Sequence, residues 1–451
     1  PQHVREAELM LALARPLQAR ALAWAVAASL AVFALARLFA PAPAPETPIR
    51  QSSAGAPTYA SALAQIDRQL VGLKQLAGSR PDDWLMQERV AHQLMGRARL
   101  TGSFAAYAAA QRVLDSAFAS ATPGAGPHLT QAALALSLHR LGLAERMLDA
   151  VDRYAVAPEA EVRAGATAMR GDIAFYRGHY RAALEAYRAM SAAGDRPDQR
   201  LAIFWAKTGR PDDAIAAIKR IERGGLVPGQ ALAQLALLRG TVALQKGDWD
   251  AADLAFSEAE KRFPGWWLAE AHRAQMLALR GRHAEALRAF EALAARSDDP
   301  ALRDAIAGLY RARGDYARTE LWAGRAAQGW AERLRLLPEA AIGHAVEHEL
   351  AFGSPARALD LARRDFALRP HGATAIALGW ALIANNRPAE ALKLIGAVNR
   401  SIWVSAEQHL VAARAHALLG QSDAAQAEND AALAINPHAL DPNAALLWYG
   451  H

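Results

Sequence analysis

A short turn comes back ten times along this chain of 451 residues, at intervals of 31 to 40. It reads GSFAAY at Gly102, GLAERM at Gly142, GHYRAA at Gly178, GRPDDA at Gly209 and GDWDAA at Gly247. GRHAEA at Gly281, GDYART at Gly314, GSPARA at Gly353, NRPAEA at Asn386 and GQSDAA at Gly420 complete the series. Such self-similarity outranks any local motif, because a unit of this length cannot bury its own apolar face and must stack on its neighbours.

Two positions keep time with the turn. Five residues after it stand Ala183, Ala214, Ala252, Ala286, Ala358, Ala391 and Ala425; seven before it stand Ala135, Gly171, Ala202, Gly240, Ala274, Ala307, Gly379 and Ala413. Small side chains on both sides of a turn let two antiparallel helices approach closely. Tyr187, Phe256 and Phe290 share a later offset and fill the space between helices, while Trp205, Tyr310 and Leu382 do so ahead of the turn. Ala, Leu and Arg dominate and strand formers are scarce, so the fold class expected is all-α.

This pattern resembles the tetratricopeptide repeat, a helix-turn-helix unit stacked into a right-handed superhelix. The clearest copy runs from Ala236 to Pro264, with Gly240, Gly247, Trp249, Ala252, Phe256, Ala259 and Pro264 at family positions. The resemblance covers about Asp83 to Pro437, so 83–437 is read as the array. The copies at Gly102 and Gly142 are the poorest, with Tyr107 and Met147 where alanine is wanted.

Outside the array, 1–20 reads as a cytoplasmic segment and 21–40 as a membrane-spanning helix. The latter has 20 residues and one charge, Arg37, and is preceded by Arg5, Arg15 and Arg20. A cleaved leader or a buried core helix are the other readings of that stretch. The Pro- and Ala-rich 41–58 is expected to be a stiff spacer. Leu63, Ile66, Leu70, Leu73 and Ala77 make 59–82 a capping helix and connection, and 438–451, with Leu447, Trp448 and Tyr449, a cap or tail. The expected location is a bacterial inner membrane, with the array on its outer side.

One stretch points to chemistry. His344, Glu347 and His348 have the H-x-x-E-H spacing of inverted zinc peptidases. They fall inside the first helix of an ordinary repeat, with Gly353 as its turn and Ala358 five residues later, and a zinc site needs a third converging ligand. No catalytic, metal or cofactor residues are therefore expected. PGAGPH at 123–128 lacks the lysine of a phosphate loop, and Trp266 and Trp267 are read as opening the next helix. The absence of cysteine removes thiolate chemistry, and a net charge of +6 without basic clusters argues against nucleic acid.

The resemblance implies a protein partner bound in the concave groove, and no small-molecule substrate. In the family, residues six, three and two before the turn face that groove. Carried over, they are Asp172, Phe175, Tyr176, Lys207, Gln275, Arg311, Glu347, Trp380 and Arg414, joined by His139 and Arg140 if the second copy keeps register. The clamp for acidic chaperone tails is missing, since Leu237 and Thr241 hold its positions in one unit. The function expected is a membrane-tethered scaffold or assembly chaperone of the envelope. A zinc peptidase, the recognition arm of a glycosyltransferase and a soluble cytosolic interaction module stay open as alternatives.

Overall fold

The computed structural model describes residues 51–52, 57–154, 156–194, 199–223 and 227–446. A first helix, Tyr59–Ser79, is followed by ten helical hairpins. Their paired helices are Trp84–Thr101 with Phe104–Ser120, His128–Ser137 with Leu141–Asp152, Ala160–Tyr176 with Tyr180–Gly194, Gln199–Lys207 with Pro211–Arg223, and Gly229–Gln245 with Trp249–Arg262. Then come Trp267–Leu279 with His283–Ala294, Pro300–Ala312 with Tyr316–Leu336, Pro338–Phe352 with Pro355–Leu368, Gly372–Ala384 with Pro388–Asn399, and Ala406–Leu418 with Ser422–Ile435. Among the described residues the fold is thus an all-α solenoid of helix pairs, with a short 3-10 turn at Pro442–Leu446 and a two-residue strand, Gln51–Ser52, parallel to Val227–Pro228.

Local chemistry explains the boundaries. Asp83, Ser103, Asp248, Asp299, Asp315 and Ser405 accept hydrogen bonds from the first free amides of their helices. Pro300, Pro338, Pro355 and Pro388 occupy first helical positions, where no amide hydrogen is needed. Most hairpins break at a left-handed residue, which at Gly178, Gly209, Gly247, Gly281, Gly314 and Gly420 is glycine. The turn at Gly353 is made differently, with φ −108°.

The second turn corrects the sequence reading. Its left-handed residue is His139, φ 59°, three positions before Gly142. Counted from His139, the small residues seven before and five after are Ala132 and Ala144, both fully buried. The second copy therefore obeys the pattern once its turn is moved, and a histidine had hidden the turn.

Close approach within hairpins has a steric test. A Cβ on Gly240 would run into the ring of Phe256, and one on Gly171 would sit 2.6 Å from the ring of Tyr187. Gly240→Val is expected to cost about 1–3 kcal/mol by overpacking. Gly324→Val, on an open helix face with nothing within 4 Å, should be near neutral in the same thermal melts.

The solenoid winds tightly enough for its coils to touch, at points five or six hairpins apart. The Trp267 Nε1–H donates to Leu100 O at 3.3 Å and Arg333 to Gly102 O at 3.5 Å. Further along, the Gly372 N–H donates to the Tyr180 hydroxyl at 2.9 Å, Val404 N to Lys207 O at 3.0 Å and Asn436 Nδ2 to Leu244 O at 3.4 Å. The coils also share a core: Phe175, Tyr180, Tyr187 and Phe204 from the third and fourth hairpins pack with Ile376, Ile395 and Trp403 from the ninth and tenth. Trp267 does open a helix, and it also ties the sixth hairpin to the first.

The expected localisation needs correction. No helix among the described residues is long and apolar enough to cross a membrane. The segment 21–40 on which a single-pass inner-membrane protein rested lies outside them, as do 1–20, most of 41–58 and Leu447, Trp448 and Tyr449.

Candidate functional site

The coil encloses a cavity of about 560 Å³, lined by the inner helices of hairpins three, four, five, six, eight, nine and ten. In hairpins three to five the lining comes from helix ends near the turn: Phe175 and Tyr176, then Ile203, Ala206 and Lys207, then Thr241, Leu244 and Gln245. In hairpins six and nine it comes from the first half of the helix, Leu268 and His272, then Ala373 and Ala377; in hairpin ten from Glu407 at the helix start and Trp403 just before it; and in hairpin eight from mid-helix, Gly343, His344 and Glu347. The reason is the winding, which lays the second coil against the first so that inner helices of both bound one space.

Of the expected groove residues, Phe175, Tyr176, Lys207 and Glu347 line this cavity, and His139 joins them. The other five do not. Gln275 is buried, 1 % exposed, next to His272. Asp172 accepts hydrogen bonds from Tyr187 and Arg200 inside its own hairpin and the next. Arg311 donates to Ala351 O and lies over Phe352, joining two hairpins across the stack. Trp380 packs on the shared core, and Arg414 is exposed elsewhere. Ile203, Thr241 and Gln245 were missed although the offset rule reaches them; His371 and Trp403 were missed because no offset within a repeat does.

The cavity wall gathers polar groups that have no partner of their own. His371 accepts from Ala373 N through Nδ1 at 3.3 Å, so its neutral ring carries the hydrogen on Nε2, and Nε2 has no acceptor. Trp403 Nε1 and His139 Nδ1 are likewise buried and unpartnered among the described residues. Each such group costs about 1–3 kcal/mol if left unsatisfied. The rings lie together, with His371 5.8 Å from Trp403 and Tyr176 5.4 Å from both His371 and His139.

Charge is equally concentrated. Lys207 Nζ stands 5.8 Å from the Trp403 ring centre, with no carboxylate in ion-pair range among the described residues. Burial lowers its pKa, partly offset by Glu407. Arg369 is committed to Asp365 at 2.7 Å, a buried pair, and burial raises the Asp365 carboxyl against the pull of that arginine. Burial also takes His371 and His139 down to about 3, helped in both by Arg369. Burial lowers His344 too, but the hydrogen bond and charge of Glu347 outweigh it and the net shift is upward.

A larger crevice of about 1030 Å³ lies by the first, sixth and seventh hairpins. Its arginines are mostly spent: Arg97 pairs with Asp67, Arg296 with Glu270 and Arg333 with Asp299.

The H-x-x-E-H residues divide. His348 is buried and bonds Asp304 through Nδ1 at 2.6 Å, and the same carboxylate accepts from Trp330 Nε1 at 2.6 Å. His344 and Glu347 face the cavity instead. Among the described residues no group of three or more His, Cys, Asp or Glu is placed to hold a metal ion.

No family model matches the chain, and no curated protein does. Solved structures of similar fold include a tetratricopeptide repeat protein from Parabacteroides merdae, at 14% identity over 56% of this chain and 98% of that one, TM-score 0.34. Yeast Tom70 shares 13% identity over 84% and 96%, TM-score 0.33. The tetratricopeptide domain of P58(IPK) shares 16% over 86% and 93%, TM-score 0.26. The repeat architecture rests on the ten helix pairs and their turns rather than on these distant likenesses.

Proposed function

We propose that this chain is a non-catalytic protein-interaction scaffold that takes a short segment of a protein partner into the cavity inside its coil. The observation that supports the reading is the convergence of seven inner helices on one cavity with both apolar and unpartnered polar walls. A volume of about 300–1,000 Å³ suits a compact ligand, so the accepted segment is a few residues long and not an extended chain lying through many repeats. Repeat solenoids present their inner surface to ligands in this way because each unit adds one helix to it.

The test is a photo-crosslinking amino acid at Ile203, which is 38% exposed and faces the cavity, against one at Leu254, which is 74% exposed and lines no described cavity. Irradiation in the native host should give a discrete polypeptide adduct at 203 and none at 254. Adducts that are the same at both positions, or absent at 203, would remove the scaffold reading.

A further inference from the structure

We infer that the cavity seats a carboxylate carried on an apolar body, held by the Lys207 ammonium, the Tyr176 hydroxyl, His371 Nε2–H and Trp403 Nε1–H. The inference rests on the cavity's being the binding site, and it names the chemistry of what binds. All four groups are donors. His371 and Trp403 are 7% and 3% exposed, with the donor nitrogens unpartnered among the described residues, and an acceptor on a ligand would satisfy them. Phe175 packs beside both, 6.2 Å from His371 and 6.1 Å from Trp403, and keeps the seat dry on one side.

One unbonded cation facing two glutamates favours an anion of a single charge over one of two. Among the described residues, Lys207 is the one cation of the lining without a bonded carboxylate, since Arg369 is held by Asp365 and His344 by Glu347. Glu347 and Glu407 also line the cavity and would repel a dianion such as a phosphate monoester. An apolar stretch of wall, Ile203, Leu237, Leu238, Val242 and Leu268, lines the same cavity, with Thr241, Gln245 and His272 among these residues. A carboxyl group on an aliphatic or aromatic body satisfies both halves. The donors come from the third, fourth, ninth and tenth hairpins, so one ligand would bridge two coils.

A free amphipathic acid and the carboxyl end of an apolar peptide present this same chemistry. The full chain at pH 7.5 is titrated calorimetrically with decanoate below its micelle concentration, with decanamide, and with a pool of random hexapeptides ending in leucine, as free acids and as amides. The expected result is that acids bind at least tenfold more tightly than their amides. Tyr176→Phe and Lys207→Gln should each weaken the acids about tenfold or more while circular dichroism stays that of the parent. Glu407→Gln, which removes a competing negative charge, should tighten them severalfold, and this gain cannot come from a damaged fold. Equal binding of acids and amides, no binding of either acid, or weakening by Glu407→Gln would overturn the carboxylate seat. Acids and amides binding equally as peptides would leave the scaffold reading standing, whereas decanoate binding without the peptide acids would keep the seat and overturn the peptide partner.

Discussion

Lowering the pH from 7 to 5 is expected to destabilise the coil by about 4 kcal/mol through two histidines alone. His139 and His371 are held at about 3 in the folded chain, chiefly by burial, against an ordinary value near 6.5. Both are neutral in the folded chain at pH 7 and mostly neutral in the unfolded one. Below about 6.5 the unfolded chain takes up protons that the folded chain refuses, so stability falls as pH drops, at up to about 1.4 kcal/mol per unit for each. Over the interval to pH 5 that is about 2 kcal/mol per histidine. His344 works in the opposite sense, because its raised pKa lends stability at low pH that is lost as pH rises.

The comparison that isolates the pair is His139→Asn with His371→Asn. Asparagine tolerates the left-handed backbone at 139 and keeps a helix-capping oxygen at 371. Melting temperatures of parent and double variant, followed from pH 7.5 to 5, should diverge, the parent falling more steeply. Parallel curves would mean that neither imidazole is held neutral by the fold. Because both rings belong to the seam between coils, the steeper fall should be accompanied by loss of the coil contacts before loss of helix.

Asp304→Ala is expected to cost about 3–5 kcal/mol, the largest effect of any single change considered. The carboxylate is buried, and it receives both Trp330 Nε1–H and His348 Nδ1 at 2.6 Å. Removing it strands two buried groups of the seventh and eighth hairpins at once, and breaking one side of a buried pair costs far more than the pair contributes net. Glu347→Ala, next to His348 on its helix but facing the cavity, should change stability by less than about 1 kcal/mol. Thermal and denaturant unfolding of both variants separates them. A harmless Asp304→Ala would return the H-x-x-E-H stretch to the list of unexplained motifs, since its second histidine would then have no structural duty.

How much of this was legible beforehand can be followed residue by residue. The ten turns, the small residues on either side of them, and the aromatic fillers Tyr187, Phe256 and Phe290 are local facts, because the helices they join are neighbours in the chain. They prescribe hairpins whatever the rest of the molecule does. The second turn was misplaced only because His139 takes a backbone conformation usually left to glycine. Lys207 and Tyr176 were reachable for the same reason, since they lie where the inner helices of the first coil end.

His371, Trp403 and Asp304 were not. The rotation from one hairpin to the next is set by how side chains of adjacent units interlock, and small differences accumulate over five or six units before one coil meets another. Whether they meet, and at which level of the helices, is a sum over the whole array that no repeat encodes by itself. The sequence determined a stack of ten helix pairs with an inner surface; the tertiary winding decided that this surface closes into a cavity. Residues far apart in the chain thus share one wall, as Tyr176 and His371 do.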